Sequence, residues 1–464
     1  MQIEPEQLDR VTRFIEKAKT RVSESDVAAG SGLDVATARG ALYLLMRSHS
    51  CALDVGDDGT VVYDFGQKLQ PLDAPTWRDR LRSAGRWLWQ GFCWVYKASL
   101  AVLLVSYAVL FVVLIIGAAI AASAASKDEG PAKGAFHLVA LIFRALFEFA
   151  TIGAGTWVDT DRHGYPHQKF EPKQPVLPQR EQQQHPKGFI ASVYDFVLGP
   201  PRVPVDQRAQ TREVASFVRD HGGVLTVSDV QALSGMDRKQ AERFFARFVA
   251  EFEGAAEISE QGALYARLPE LLRSTSSEHD EPVVYYWDEY EAPAVLTGNT
   301  AGKNVLVVLL AAFNLVCSLF VIGNFGLANP AILGIGLMPA VLFALFFLIP
   351  LLRAPVVWQT NRNQHRNNLR KRLFKAIFGG REQQVELAQL VADANQQATS
   401  EEKLDAEKLK PLLEETLRQV GGSLDIDTRD KLVADLERLR GETRAREEHA
   451  LPVEQPVLAY TTRE

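Results

Sequence analysis

The sequence contains little cysteine. Its 464 residues include three, Cys51, Cys93 and Cys317, and no two of them lie in a C-x-x-C spacing. This number and scatter exclude a disulfide framework and a cysteine zinc site, and they fit a reducing compartment. The N-terminal residues M-Q-I-E-P-E-Q-L-D-R are acidic and lack an apolar core. No secretory signal peptide is therefore expected.

The sequence also lacks the motifs of common catalytic chemistry. It has no phosphate-cradling glycine loop with lysine, no G-x-S-x-G and no H-E-x-x-H. In the proline-rich stretch 156–187, His163 and His167 are four residues apart, but Gly164 and Pro166 oppose the helix that would align them on a metal. We therefore expect a non-enzymatic protein without metal, cofactor or small-molecule substrate.

Charge is absent from three long apolar runs, 99–123, 305–323 and 331–352. A helix over the first would be about 37 Å long, enough to cross a bilayer. Pro339 predicts a kink in the last run, and Gly334 and Gly336 predict close approach of a neighbouring helix. Three membrane spans are therefore predicted.

A fourth apolar run, 135–155, contains two charges, Arg144 and Glu148. At i, i+4 spacing these side chains share one helix face and can pair, which lowers the cost of burying them. We interpret the pair as a helix–helix contact rather than a functional site. A full crossing is expected, and a re-entrant or surface-lying helix is the alternative.

The segment before the first span, 71–98, mixes arginine with tryptophan. Indole rings settle at the headgroup level and arginines pair with lipid phosphates, so an interfacial helix is predicted, with a soluble amphipathic helix as the alternative. The residues expected at the lipid interface are Trp77, Arg78, Arg82, Arg86, Trp87, Trp89 and Trp94.

Basic residues are concentrated on one side of the spans. They are dense before the first span and after the last, where R-N-Q-H-R-N-N-L-R-K-R begins, whereas the 126–134 loop has only Lys127 and Lys133, against Asp128 and Glu129, and the 324–330 turn has none. The positive-inside rule therefore predicts that both termini lie in the cytoplasm, in the cytoplasmic (inner) membrane.

One stretch of sequence occurs twice. Residues 25–38 and 228–241 are identical at 8 of 14 positions at an offset of 203. In each copy an apolar i, i+3, i+4 stripe predicts a first helix, and an S/T-x-x-D spacing predicts a capping box for a second. Gly32 and Gly235 would end that helix, and Asp34 and Asp237 would cap a third. Two alternating strands about a D/E-x-G turn follow.

Three helices followed by a two-stranded hairpin resemble the winged-helix branch of the helix-turn-helix superfamily. The resemblance covers roughly residues 8–66 and 211–269. With the lead-in S-V-Y-D-F-V-L-G-P-P-R, the layout also looks like uncharacterised bacterial multi-span membrane proteins, a resemblance that carries no known activity. A degenerate third copy is one interpretation of the C-terminus, where Ile426, Leu432, Leu436 and Leu439 align at an offset of 168; a plain helical tail is the other.

The fold class predicted is mainly α with small β wings: duplicated cytoplasmic winged-helix modules plus four transmembrane helices in two hairpins. The predicted segments are module 1 (1–70), the interfacial helix (71–98), the first hairpin (99–155), a Pro/Gln-rich linker (156–206), module 2 (207–275), a linker (276–303), the second hairpin (304–353), a basic juxtamembrane helix (354–381) and a helical tail (382–464).

Winged helices bind either nucleic acid or protein. The first copy is poorly equipped for DNA, because residues 1–66 carry seven Lys/Arg against eleven Asp/Glu, and phosphate neutralisation supplies most non-specific affinity. The second is better equipped, although its wing is acidic. The candidate partner contacts on the third helices are Arg238, Lys239, Arg243, Arg247, Arg39 and Arg47.

These observations predict a membrane scaffold that touches lipid and docks a protein partner or assembles with itself. A membrane-tethered DNA-binding regulator is the alternative, disfavoured by the acidic modules. An oligomeric channel or transporter component is a third, for which the spans lack ionisable or broken-helix features apart from Arg144, Glu148 and Asn314.

Overall fold

The structure is a computed structural model of the whole chain. It describes residues 3–18, 21–56, 59–66, 69–70, 77–126, 168–169, 188–200, 208–273, 283–291, 293–326, 330–396, 406–426, 432–451 and 458–461.

The N-terminal part, unit 1, contains three helices and three short strands. In chain order these are α1 (Pro5–Ala18), β1 (Val22–Ser23), α2 (Glu24–Ser31), α3 (Val35–Ser48), β2 (Ala52–Gly56) and β3 (Val61–Asp64). Helix α4 (Trp77–Ser126) follows, then strand β4 (Gln168–Lys169) and helix α5 (Phe189–Leu198).

Unit 2 has the same order of elements. It comprises α6 (Ala209–Asp220), β5 (Val224–Thr226), α7 (Val227–Ser234), α8 (Arg238–Glu251), β6 (Ala255–Ile258) and β7 (Leu264–Arg267), with a short helix α9 (Pro269–Leu272) after it. Strand β8 (Glu289–Tyr290) and helices α10 (Ala301–Phe325), α11 (Pro330–Ile332) and α12 (Met338–Gly379) come next, α11 and α12 being joined by a π-helical turn (Leu333–Leu337).

The C-terminal part, unit 3, begins with the end of α12. It continues through β9 (Gln384–Glu386), α13 (Leu387–Gln396), α14 (Ala406–Val420), β10 (Ser423–Ile426) and β11 (Leu432–Asp435). Helix α15 (Glu437–His449) and strand β12 (Leu458–Thr461) complete the described elements.

The strand register is the same in all three units. In each unit the third strand lies between the other two, in the orders β1-β3-β2, β5-β7-β6 and β9-β11-β10, and β12 adds a fourth strand beside β2 of unit 1. Val22 pairs with Tyr63, Leu225 with Ala266 and Val385 with Ala434. Ile426 pairs with Leu432 as Ile258 pairs with Leu264. The C-terminal segment therefore has the element order and pairing of the two others.

Local capping is as the spacing predicts. Ser23 and Thr226 both form capping boxes, with Asp26 and Asp229 at the third helical position. Gly32 and Gly235 end α2 and α7 in the left-handed conformation, at φ 71° and 67°, which glycine adopts without a Cβ penalty. Asp34 and Asp237 accept hydrogen bonds from the first turns of α3 and α8.

Three helices are long and apolar enough to cross a membrane among the described residues: Trp87–Ala122, Ala301–Phe325 and Pro330–Gly379. The predicted fourth span, 135–155, lies outside the described residues. At Gly336 an added Cβ would lie 2.9 Å from Ile322, so the predicted close approach of the two helices is present there.

Two predicted segment boundaries fall inside single helices. α4 runs unbroken from Trp77 through the apolar run, so the described part of 71–98 is continuous with the span rather than a separate interfacial helix. α12 likewise passes from the membrane bundle into unit 3 as one helix of 42 residues, with Pro350 and Pro355 inside it. The helix is continuous across both boundaries, although Pro350 and Pro355 each lack the backbone N–H that would donate to the preceding turn.

Helix α5 lies at one end of the bundle and contacts the flanks of all three spans. Lys97 lies over the ring of Tyr194 at 5.6 Å. Asn299 donates to the carbonyl of Ser192 at 2.8 Å, and Arg353 donates to the carbonyl of Val197. The region 156–206, predicted as a linker, thus includes a helix packed against the membrane bundle. Lys97 of α4, the start of α10 and the end of the apolar part of α12 lie at the same end.

The connector from unit 2 to α10 runs along α12. Asn368 accepts from the backbone N–H of Glu291 and donates to its carbonyl, at 3.1 and 3.0 Å. Lys371 pairs with the carboxylate of Glu291 at 3.2 Å, and Lys375 pairs with Asp288 at 3.3 Å. Residues 283–291 and 293–299, here named the strap, are therefore held by the asparagine- and lysine-bearing face of α12.

Candidate functional site

Three of the predicted contact residues form one exposed face on α8. Lys239, Arg243 and Arg247 are exposed, and their spacing places them on adjacent turns of the helix. Arg247 lies 3.9 Å from Glu251 and over the ring of Phe244 at 5.3 Å. This basic face is the part of the prediction that the structure brings together.

Arg238 is not part of that face. Its side chain is buried, with 9% exposed, and it donates to both carboxylate oxygens of Glu442 on α15. Burial opposes its charge, but the hydrogen bonds to Glu442 and Glu242 outweigh this and raise its pKa. The prediction of Arg238 as an external contact is therefore corrected: its guanidinium already has a buried partner within the chain.

The two candidates on α3 differ from each other. Arg39 donates to Glu24 at 2.6 Å, and this hydrogen bond raises the pKa of Arg39. Arg47 is exposed at the end of the helix. Between them Tyr43 and Leu44 are 58% and 41% exposed. The sequence interpretation missed these two, although Arg39, Tyr43 and Arg47 share the i, i+4 spacing of one helix face.

Unit 1 is joined to unit 2 through the N-terminal turn of α2. Arg219 of α6 lies 3.0 Å from the Asp26 carboxylate, with both side chains 6% exposed. The hydroxyl of Ser25 donates to the carbonyl of Arg273. At the other end of α2, Arg208 donates to the carbonyl of Gly32 at 3.0 Å. We name Ser25, Asp26 and Gly32 socket 1.

The equivalent residues of unit 2 are joined to unit 3 and α15. Arg446 pairs with the carboxylate of Asp229, and the backbone N–H of Ser228 donates to Glu442 at 2.8 Å. Arg370 of α12 donates to the carbonyl of Gly235 at 2.7 Å. We name Ser228, Asp229 and Gly235 socket 2. The sequence interpretation identified the capping role of these aspartates but not their use between units.

Burial raises the pKa of Asp229, and the opposing charge of Arg446 limits that rise. The carboxylate therefore depends on its arginine partner to stay ionised inside the interface. A single side chain here serves both the helix cap and the contact between units.

A cleft of about 630 Å³ opens between α8 and α14. Its lining includes Lys239, Arg418 and Arg438, but also Glu242 and Glu415. Because the charges balance and Glu242 and Glu415 pair with Arg438 and Arg366, the cleft selects no ligand charge. Among the described residues no group of three or more His, Cys, Asp or Glu could hold a metal ion.

The predicted lipid-interface residues all lie in α4. Trp87 and Trp89 are 73% and 67% exposed, so neither is taken up by packing within the chain. The side chains of Trp77, Arg78, Arg82, Arg86 and Trp94 are outside the described part. The predicted Arg144–Glu148 pair also lies outside the described residues.

Comparison with known proteins returned no family model, no curated protein and no solved structure that matches the chain.

Proposed function

We propose that this protein is a membrane-anchored docking scaffold that presents winged-helix units to one side of the membrane. The observation that carries the proposal is the position of the span flanks: α5 contacts all three at one end of the bundle. Units 1, 2 and 3 connect to those flanks. Linking several binding surfaces on one anchor raises their effective concentration toward a shared partner.

The winged-helix assignment is supported by the order helix, strand, helix, helix, hairpin in each unit and by the central position of the third strand. The third helix of each unit comes directly before the hairpin in the chain, and helix-turn-helix proteins offer this later helix to a partner.

We further propose that 135–155 crosses the membrane. α4 leads away from the end where α5 lies, and the chain is back at that end by Phe189. If α4 spans the bilayer, a second crossing must lie between these points, and 135–155 is the long apolar run available. The basic flanks support a cytoplasmic position for the units and the cytoplasmic membrane as the site of the spans.

The docking surface proposed on unit 2 is the face formed by Lys239, Arg243 and Arg247. Residues 208–273 carry nine Lys/Arg and ten Asp/Glu, so the face is a local basic patch on a nearly neutral unit. Such a patch fits an acidic protein surface, where paired charges give specificity and rate. No substrate chemistry is assigned, and the proposed role is non-enzymatic.

A membrane-tethered DNA-binding regulator is the second candidate, because the same three basic residues line the outer face of a third helix, the position that reads DNA in many winged helices. Two observations weaken this candidate. Arg238 is not available to DNA because it pairs with Glu442, and unit 1 is acidic, which opposes binding to phosphate.

The test uses the full chain, in cell membranes for cross-linking and in lipid nanodiscs for DNA titration. A photo-crosslinking residue replaces Arg243, and the same residue in place of Arg39, on the third helix of unit 1, serves as the comparison. The scaffold predicts a discrete cross-linked protein from position 243 in membranes, lost when Lys239→Glu and Arg247→Glu are added. Titration with random duplex DNA should show no binding at physiological salt.

Micromolar DNA binding with a steep salt dependence, removed by Lys239→Glu with Arg247→Glu, would replace the scaffold with the regulator. A cross-linking pattern unchanged by those substitutions would remove this face as the docking site.

A further inference from the structure

Sockets 1 and 2 are the same site in two units, and the carboxylate of each pairs with an arginine from a later part of the chain, from α6 in socket 1 and from α15 in socket 2. Asp26 and Asp229 occupy the same capping position and each receives an arginine. Gly32 and Gly235 also each receive one on the carbonyl, from Arg208 and Arg370. The order of units therefore has a direction, from unit 1 to unit 3.

The strand register locates the equivalent site in unit 3. Thr226 pairs with Tyr265, and Glu386 pairs with Val433 at the matching position. Counting onward, Ala388 takes the place of Ser228 and Gln389 that of Asp229. Ser228 and Asp229 are 2% and 4% exposed, whereas Ala388, Gln389 and the neighbouring Ala392 are all exposed. This face of α13 is socket 3.

At the N-terminal end of the chain, on α1, the position equivalent to the socket-binding Arg219 is not an arginine. Arg219 follows the buried Val218 on α6, and the residue in that place on α1 is Glu16, which follows the buried Ile15. Glu16 is exposed. The Arg–Asp pair of the unit 1–unit 2 interface is thus replaced at both ends, by glutamate on α1 and by glutamine in socket 3.

We propose that socket 3 binds α1 of a second copy of this chain, with the Gln389 amide donating to the Glu16 carboxylate. The proposal continues an interface already used between units 1 and 2. Because an amide donates to a carboxylate while an aspartate would repel it, Gln389 is complementary to Glu16 where Asp229 would not be. It is independent of what the basic face of α8 binds.

Contact between α1 of one copy and α13 of the next is heterologous, so copies join head to tail. Such contacts close into rings or continue as filaments, depending on the rotation between copies. Since each copy is anchored by its spans, assembly is confined to the plane of the membrane.

The experiment measures the mass of the purified full chain in detergent micelles and in nanodiscs sized for several copies. Wild-type protein should give masses of more than one copy that grow with concentration. Gln389→Asp places two carboxylates together and should weaken association about tenfold or more. Glu16→Arg with Gln389→Asp recreates the Arg–Asp pair of sockets 1 and 2 and should restore it.

A second readout is disulfide cross-linking of Glu16→Cys with Gln389→Cys after replacement of the three native cysteines. A ladder of linked copies is expected, and Arg243→Cys with Gln389→Cys is the mismatched control. Single-copy mass at every concentration would overturn the proposal, and so would association that Gln389→Asp leaves unchanged or that the double variant fails to restore.

Discussion

At the scale of single residues, the contacts between units depend on a few buried charges. Glu442 is 1% exposed and is held by Arg238 and by the backbone and hydroxyl of Ser228. An ion pair removed from water persists only when its remaining lone pairs are satisfied, and breaking one partner leaves the other uncompensated.

Glu442→Ala should therefore lower the free energy of unfolding by about 3 kcal/mol, because Arg238 loses its buried partner and keeps only the partly exposed Glu242. Urea titration of the full chain in detergent measures the change. Glu415→Ala is the matched control, since Glu415 pairs with Arg366 on the surface with 47% and 63% of the two side chains exposed; it should cost about 0–1 kcal/mol. Equal losses in the two variants would contradict the assignment.

The Asp229–Arg446 pair should make stability depend on pH. Burial raises the pKa of Asp229, and Arg446→Met should raise it further. When folding raises the pKa of an acid, the folded state is more stable while that acid is protonated. This stability is lost as the pH rises through the pKa of the folded state. The destabilisation by Arg446→Met should thus be larger at pH 8 than at pH 5, by about 1 kcal/mol.

Adding Asp229→Asn to Arg446→Met removes the titrating carboxyl group and should flatten this difference in stability between pH 5 and pH 8. A difference that persists in the double variant would assign the pH dependence to another group.

Whether a side-chain contact can be predicted from the sequence depends on how far apart its two residues lie in the chain. The caps at Ser23, Thr226 and Asp237 could be read from spacing because helix capping is local. The burial of Arg238 could not, because Glu442 lies 204 residues away. In the sequence, Arg238 therefore resembles a solvent-exposed residue, because its partner Glu442 lies far away on α15.

At the scale of elements, α12 contributes residues to two separate hydrophobic cores. Phe343 and Phe346 belong to the core of the membrane bundle, and Leu373, Phe374 and Ile377 belong to the core of unit 3. Between these cores its polar face holds the strap. The sequence interpretation assigned 354–381 by its positive charge, which predicts the side of the membrane but not that the asparagines bind a backbone.

Asn368→Ala should loosen the strap, because it removes hydrogen bonds to both the N–H and the carbonyl of Glu291. Each is worth about 1 kcal/mol, so amide exchange at residue 291 should accelerate about tenfold or more. Hydrogen–deuterium exchange of the full chain measures this. The exposed Asn363, substituted by alanine, should leave the exchange of the strap unaltered; acceleration in both variants would point to loosening of α12 itself.

At the scale of the whole molecule, the apolar runs and the two similar copies can be recognised in the sequence, because composition and repetition do not depend on which residues are in contact. Unit 3 is harder, because its capping serine or threonine is replaced by Glu386 and its capping aspartate by Gln389, and only the hairpin register identifies it. Packing between units depends on pairs such as Arg219 with Asp26, which no local pattern connects.

The common side of the three units can be tested in sealed vesicles with a membrane-impermeant thiol reagent. Cysteines at Glu16, Arg243 and Gln389 should react from one side only. A cysteine at Phe325, which is 67% exposed at the far end of α10, should react from the other side. Residues 16 and 243 reacting from opposite sides would remove the common-side arrangement and the crossing proposed for 135–155.

Because α12 runs as one helix from the membrane bundle into unit 3, a change in the tilt of its apolar part displaces unit 3. The part of α12 beyond the apolar run, from Arg353 to Gly379, is about 40 Å long at 1.5 Å per residue. Tilting of spans is a common response to bilayer thickness, and a change of about 10° would move its far tip by about 7 Å. Bilayer thickness would then set where α13 sits, and with it the spacing of neighbouring copies.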